Sequence, residues 1–418
     1  MSPDQIQVFK QKALQYAASF EVCSYLDSHH YADKYGKHDC LIAFGVENEL
    51  SANVGKAFSD LKTFAEEHQD WMFGLLSYDL KNEVEVLEEP KTDSLNFPDL
   101  YFFVPQYLIS ISGEQINVLK GDQAIIKEIL LLKTKEESPT APVAIKSRLS
   151  KQAYLDKLES IKQHIKRGDV YEMNFCQEFF DDHAEIDPLL VYNKLKAISP
   201  TPFSGFLKIR DKFVLSATPE RFLAKNGRKL TSQPIKGTAK RSEDPTEDHQ
   251  IKTALRNSEK EQAENVMIVD LVRNDLTKSA VKGTVKVDEL FGIYSFPQVH
   301  QMISSISCDL SPEVHFVDAI KNTFPMGSMT GAPKLRAMQL IDQYEVSKRG
   351  VYSGSLGYIS PNGDFDFNVV IRSILYNATN KYLSFQVGGA ITYQSESEKE
   401  YEECLLKASA MMSVLSRN

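Results

Sequence analysis

Four glutamates stand at spacings from which carboxylates can act together. Glu261 and Glu264 are three apart, as are Glu400 and Glu403. At helical periodicity the first pair shares a face with Ile268 and Val272, the second with Lys407, Met411 and Val414. A carboxylate in line with an apolar stripe is too costly to bury alone, so each calls for a cation. Four hard oxygen donors without a neighbouring His or Cys set suit Mg²⁺. The spacing fits equally well four solvated acids near helix N-termini, where the dipole favours them. Spacing alone leaves both readings open.

A second group turns on lysine. Pro234-Ile235-Lys236-Gly237-Thr238 sets one Lys between a stiff and a permissive residue. Held in a partly desolvated pocket, such a lysine can lose its proton and become a nucleophile. Glu220, in Thr218-Pro219-Glu220-Arg221-Phe222, could supply a proton. The plainer alternatives are a surface lysine in a turn and a glutamate paired with Arg221. Anion anchors form the third group. Arg372 is expected on one strand face with Val370 and Ile374, where it needs an anionic partner or an internal salt bridge. Gly388-Gly389-Ala390 lets a ligand approach the backbone, and Met326 to Gly331, including Ser328, precedes a helix start.

The elements that must position these groups are legible in outline. Ser150 caps a helix whose stripe is Tyr154, Leu158, Ile161 and Ile165, with Gly168 as its stop. A long helix is expected from about 258 to 277, and another after 327–331 with Pro333 in its first turn. Leu100 to Val104 with Tyr107 to Ile109 looks like strand. Then comes a meander: 352–360, a turn at Asn362-Gly363, 367–376, a turn near 377–380, and 382–393. Ser395 with Glu398 suggests a capping box for a last helix ending near Leu415. Long strands joined by tight turns are antiparallel, which argues for an α+β fold. The polar, proline-interrupted stretch 133–146 is the linker candidate.

The chain has 418 residues, is 42% hydrophobic and 25% charged, and carries a net charge of −9, with no basic block to suit nucleic acid or an anionic membrane. An acidic chain that handles an anion must concentrate positive charge locally. The N-terminus lacks the pattern of a secretory signal and no apolar run approaches membrane-spanning length. Five scattered cysteines without C-x-x-C spacing fit buried thiols in a reducing cytoplasm.

Taken in order, 234–238, 264–275 (ENVMIVDLVRND), 324–338 (FPMGSMTGAPKLRAM), 349–358 (RGVYSGSLGY) and 400–408 resemble the chorismate-utilising enzymes. That family includes anthranilate synthase component I, aminodeoxychorismate synthase component I, and isochorismate and salicylate synthases. The resemblance runs from about 150 to 412 and implies two packed antiparallel β-sheets with outer helices. It implies a catalytic domain over 147–412, with residues 1–132 completing the sheets. It further implies Mg²⁺ bound through Glu264 and Glu403, with Glu261 and Glu400 completing the shell and the metal holding the carboxylate on the chorismate ring. Tyr352, Arg372, Ser328, the Gly388–Ala390 backbone and Lys407 are similar to the family's carboxylate anchors. Glu220 matches its general acid, poised over the C4 hydroxyl.

Within the family, Lys236 resembles the para-aminobenzoate branch; anthranilate synthases usually carry a small residue there. The implied chemistry is attack of the lysine amine on ring C2 as the C4 hydroxyl departs, followed by ammonia at C4. Enclosure and cations such as Arg241 are expected to keep that amine neutral. Glu172 occupies the place where water-activating members need a lysine and aminating ones commonly have Gln; with Lys236 and Glu220 it makes up the expected catalytic set. Many members have a His at Gln301, whereas here the imidazole is His300. Ala239-Lys240 replaces the more usual Arg/Leu-Pro. With no Cys-His-Glu glutaminase set in the chain, ammonia is expected from a separate glutamine amidotransferase subunit. Anthranilate synthase component I is the nearest alternative, followed by isochorismate synthase and a non-catalytic ligand-binding relative.

Overall fold

The computed structural model describes residues 2–31, 33–87, 91–133, 143–297 and 299–416, so 134–142 of the linker candidate lie outside the described residues. Every pairing between its named strands is antiparallel, and one continuous hydrogen-bonded ribbon folds into two layers. The first layer runs Val22–Asp27, Phe203–Ile209, Lys212–Thr218, Ser373–Asn377, Tyr382–Thr392 and Glu172–Asp181. The second runs Met72–Leu76, Ser355–Ile359, Phe365–Asn368, Arg221–Asn226, Lys229–Gln233 and Val299–Asp309. Two long strands, Cys40–Ala52 and Leu100–Ser112, pair along their whole length with a bulge between Val46 and Asn48. One end of this pair meets the first layer at Val22–Asp27, the other the second layer at Met72–Leu76.

Strand alternation builds two cores. Val22, Leu207 and Val214 face inward to meet Leu356, Phe367 and Leu223 of the other layer. Their neighbours Tyr25, Phe206 and Leu215 face outward and are covered by helical side chains such as Phe9, Tyr154, Tyr192 and Met411. The helix Lys151–Lys166 is capped by the Ser150 hydroxyl and buries Tyr154, Leu158, Ile161 and Ile165 as a single stripe. Ser258 caps Glu259–Thr277 in the same way.

Three local expectations are corrected. The strand expected over 367–376 is two strands, Phe365–Asn368 and Ser373–Asn377, belonging to different layers. Residues 369–372 cross between the layers, and Arg372 adopts φ +51° instead of continuing a strand face. The Ser395/Glu398 capping box is not formed: the Ser395 hydroxyl accepts the Thr392 N–H at 3.1 Å, and the helix Ser397–Leu415 starts after Glu396 without a side-chain cap. Pro333 is the residue before the helix Lys334–Tyr344, not part of its first turn.

Candidate active site

The crossover at 369–372 is where the expected site residues meet. The Val369 N–H donates to the Glu220 carbonyl at 3.0 Å, and the Ser353 N–H to the Val370 carbonyl at 2.9 Å. These bonds tie Glu220, the Tyr352 turn and Arg372 to one four-residue segment. A second tie crosses from layer to layer. Glu172 begins the strand Glu172–Asp181 of the first layer; Lys236 lies on Ile235–Lys240, which pairs with Val299–Asp309 of the second. The Lys236 ammonium donates to Glu172 Oε1 at 2.5 Å, and both side chains are buried. The other oxygen, Oε2, is buried and has no hydrogen-bond partner among the described residues.

The lysine does not sit among cations. Arg241 bonds Asp248 at 2.8 Å instead, so the expectation that it keeps Lys236 neutral is corrected. Burial alone would weaken the hold of Lys236 on its proton. Glu172, with Glu264 and Glu220 behind it, outweighs that and holds the ammonium above the ordinary lysine range. Glu220 moves the opposite way. It is 4% exposed, and burial raises its carboxyl to about 7, although the Ser328 side chain, the Lys236 charge and the Ile235 N–H all favour the anion. Near neutral pH it is therefore divided between acid and carboxylate, which suits a proton donor.

The four glutamates come from two helices, Glu259–Thr277 and Ser397–Leu415. Burial raises Glu264 to about 7, with the Glu172 and Glu261 carboxylates pushing the same way against Lys236. Burial raises Glu261 and Glu400 too, and Glu403 adds to both. Glu403 itself is half-exposed and bonds Lys407 at 2.7 Å, which overcomes the effect of burial and lowers it. Glycines make the room. A Cβ at Gly237 would lie 3.0 Å from Glu261 Oε2, and one at Gly389 3.4 Å from Glu400 Oε2. Mutually repelling, half-desolvated carboxylates in a cradle of glycines fit a divalent cation. The side chains are splayed, however. Among the described residues the only three ligand atoms of such residues within 4.8 Å of one another belong to Asp181, Asp182 and His183. That trio lies at the far end of the Glu172 strand. There Asp182 holds Lys146 at 2.9 Å and Asp181 accepts two backbone N–H groups.

The expected anchors line the same region. Tyr352 is buried, its hydroxyl 3.5 Å from Cys176 Sγ. Among the described residues the half-buried Arg372 guanidinium makes no hydrogen bond or ion pair, which removes the internal salt bridge as its explanation. Gly388, Gly389 and Ala390 lie on Tyr382–Thr392, facing Cys176, Phe175 and Asn174. A Cβ at Gly388 would be 2.3 Å from Cys176 Sγ, so glycine is required there. Lys407 spans Glu403 and the Gly388 carbonyl, 3.1 Å away. Ser328 sits in the short turn Gly327–Met329. His300 is turned from the site, its ring between Asp248 at 3.0 Å and Ser295 at 2.9 Å.

Sequence reasoning missed the residue that holds these pieces together. Arg349 is 2% exposed and bonds Glu345 at 2.6 Å, the Met329 carbonyl at 2.7 Å and the Asn174 carbonyl at 3.2 Å. It thus joins the Ser328 turn, the Glu172 strand and the Tyr352 turn. Glu345 in turn accepts the Cys176 N–H at 2.9 Å. Two signals were available: an i, i+4 Glu–Arg pair at the end of a helix, and the position of Arg349 at the head of the 349–358 stretch.

The pattern of the chorismate binding enzyme family matches residues 23–413. Aminodeoxychorismate synthase component 1 from Escherichia coli (strain K12) is 33% identical over 354 residues, covering 84% of this chain and 78% of that protein. Aminodeoxychorismate synthase from Streptomyces griseus is 40% identical over 286 residues, 67% of this chain and 39% of that longer protein. Among solved structures, anthranilate synthase component I from Streptococcus pneumoniae TIGR4 superposes with a TM-score of 0.80 at 25% identity. It covers 91% of this chain and 94% of that one.

Proposed function

The chain belongs to the family of chorismate-binding enzymes, and from that premise we propose that it is a transferase that aminates chorismate at C4, giving 4-amino-4-deoxychorismate for para-aminobenzoate and folate synthesis. One observation carries the choice of reaction: a buried lysine, Lys236, lies within electrostatic reach of a buried acid, Glu220, whose carboxyl is raised to about 7. Lys236 is the nucleophile toward ring C2, and Glu220 protonates the departing C4 hydroxyl. Splitting one difficult substitution into two displacements is the usual benefit of covalent catalysis.

Arg372, Tyr352, Ser328, Lys407 and the Gly388–Ala390 backbone hold the two substrate carboxylates. Glu261, Glu264, Glu400 and Glu403 would hold Mg²⁺, which supplies a positive charge for the ring carboxylate. Residues 1–132 complete the sheets of the 147–412 catalytic domain, since Val22–Asp27 and Met72–Leu76 pair with strands from it. Ammonia comes from a glutamine amidotransferase subunit. The setting is cytoplasmic: the five cysteines are buried and free, and among the described residues no helix is long and apolar enough to cross a membrane.

The test is product identification. Purified chain with chorismate, Mg²⁺ and ammonium should form 4-amino-4-deoxychorismate, while glutamine in place of ammonium should not serve. Lys236→Ala should lose that product and at most make a trace of the 2-amino compound. Anthranilate as the main wild-type product would instead make this an anthranilate synthase component.

A further inference from the structure

We propose that Glu172 is the proton store for the covalent step: it takes a proton from the Lys236 ammonium before the amine attacks the ring, and returns it once the lysine has been displaced. This rests on the reading of Lys236 as nucleophile and gives a role to the one buried carboxylate in hydrogen-bond contact with it.

A nucleophilic lysine needs a free lone pair, yet here the amine rests as an ammonium in an acidic pocket. Its only side-chain hydrogen-bond partner among the described residues is Glu172 Oε1, at 2.5 Å. Glu220 and Glu264 face the same ammonium, with Glu261 and Glu403 farther out on the two helices, but none of these bonds it. Arg241, just past the end of the Lys236 strand, and His300 on the neighbouring strand are both engaged with Asp248. A proton leaving Lys236 thus has one direct acceptor.

Burial favours the exchange. An ammonium facing a carboxylate needs both charges solvated or fully hydrogen-bonded, whereas the amine and carboxylic acid carry no charge to desolvate. Glu172 meets only half of that need as an anion, because Oε2 is buried without a partner. Substrate entry displaces solvent and shifts the balance from the resting ammonium toward the neutral pair. The position also serves the return step. Glu172 lies at the end of its strand, where Thr392 and Ala332 flank it in register and limit its movement away from Lys236.

The step balances. The amine lone pair forms the Nζ–C2 bond, the two ring double bonds each shift one position toward C4, and the C4–O bond breaks. The hydroxyl leaves as water on the Glu220 proton. When ammonia bonds to C4 the double bonds shift back and the C2–Nζ bond breaks, releasing neutral lysine. The surplus proton on the new C4 nitrogen passes to the Glu220 carboxylate, and Glu172 returns its proton to Lys236. Glu172 never touches a reacting carbon; it acts through Lys236.

The test compares wild type with Glu172→Gln and Glu172→Asp, using ammonium as the nitrogen source and rates referred to free ammonia. Gln keeps an acceptor for Lys236 but cannot hold a proton, so solvent must remove it. At pH 6.5 Glu172→Gln should lose about 10²-fold in kcat/KM for chorismate, and the loss should shrink as pH rises and the lysine deprotonates. Wild type should lack this ascending limb, because its proton is handled within the pair. Glu172→Asp should retain the wild-type profile shape at a reduced rate, with unfolding midpoints confirming that all three proteins are folded. Mass spectrometry of quenched reactions separates the two readings. A lysine adduct that forms in wild type and equally fast, with the same pH profile, in Glu172→Gln removes the proton-store role while leaving the nucleophile intact. No adduct in wild type, with Lys236→Ala still fully active, overturns both.

Discussion

Replacing Glu220 by Gln probes the acid assignment through stability as well as rate. Burial lifts this carboxyl from 4.5 to about 7. Below pH 4.5 it is neutral in folded and unfolded chains alike, and titration there costs nothing. Between 4.5 and 7 the unfolded chain releases a proton that the folded chain keeps, so folding loses stability as pH rises. Above 7 the loss is complete, and for this span it amounts to roughly 3 kcal/mol. Glutamine does not titrate. The stability of Glu220→Gln relative to wild type should therefore climb by about 3 kcal/mol between pH 4.5 and 7.5, whatever constant offset the amide introduces. Urea unfolding at half-unit pH intervals reads this directly, provided both proteins unfold in one step. The same change should lower amination by about 10²-fold or more, while wild-type kcat/KM for chorismate falls above pH 7 as the acid is lost. At pH 7 a carboxyl of ordinary pKa would be protonated in only about one molecule in 300, against roughly half here. A stability difference that does not change with pH would refute the claim that burial raises the Glu220 carboxyl.

Two further outcomes follow from the same geometry. Glu264→Gln should abolish activity in a folded protein. Mg²⁺ at about 100 times its Kd should stabilise wild type by roughly 2.7 kcal/mol but not the variant; full wild-type activity in excess EDTA would remove the metal from the reaction. Arg349→Met should cost about 3–5 kcal/mol, because it strands Glu345 as a buried unpaired charge, while a loss below about 1 kcal/mol in urea unfolding would mean that the pair behaves like a surface contact.

The sequence was most informative where a physical rule is local. Side-chain periodicity located the Tyr154–Ile165 stripe, and the Ser150 hydroxyl placed the start of its helix. Periodicity reports burial, however, and not which layer a strand joins. Residues 367–376 read as one apolar run because Val369 and Val370 of the crossover are buried like the strands on either side, so the break at Arg372 left no trace in composition. Ser395 looked like a cap because its alternatives, the Thr392 N–H and the Glu400 carboxylate, depend on where the preceding strand ends. The Glu172–Lys236 pair joins residues 64 apart on different layers, and Arg349 binds carbonyls contributed by distant segments. No spacing rule reaches such contacts. They follow only from the path of the ribbon.

That ribbon concentrates negative charge where the proposed function has an anion bind. Glu172, Glu220, Glu261, Glu264, Glu400 and Glu403 converge on a region whose cations are Lys236, Lys407 and Arg372, with Lys260 at 3.9 Å from Glu264. The three lysines are already engaged by carboxylates, leaving Arg372, the expected anchor, without a side-chain partner among the described residues. A dicarboxylate entering this site alone would face uncompensated repulsion from half-desolvated glutamates. The protein lowers that field in two ways. Burial raises Glu220 and Glu264 to about 7, which reduces their charge near neutral pH when no cation is bound, and the four helix glutamates surround a cradle suited to a divalent cation. On the proposed reading cation and substrate relieve the same excess charge, so each should strengthen the binding of the other by an equal factor. An acidic chain of net charge −9 can in this way bind a dianion without a basic surface, since the compensating charge is recruited at the site.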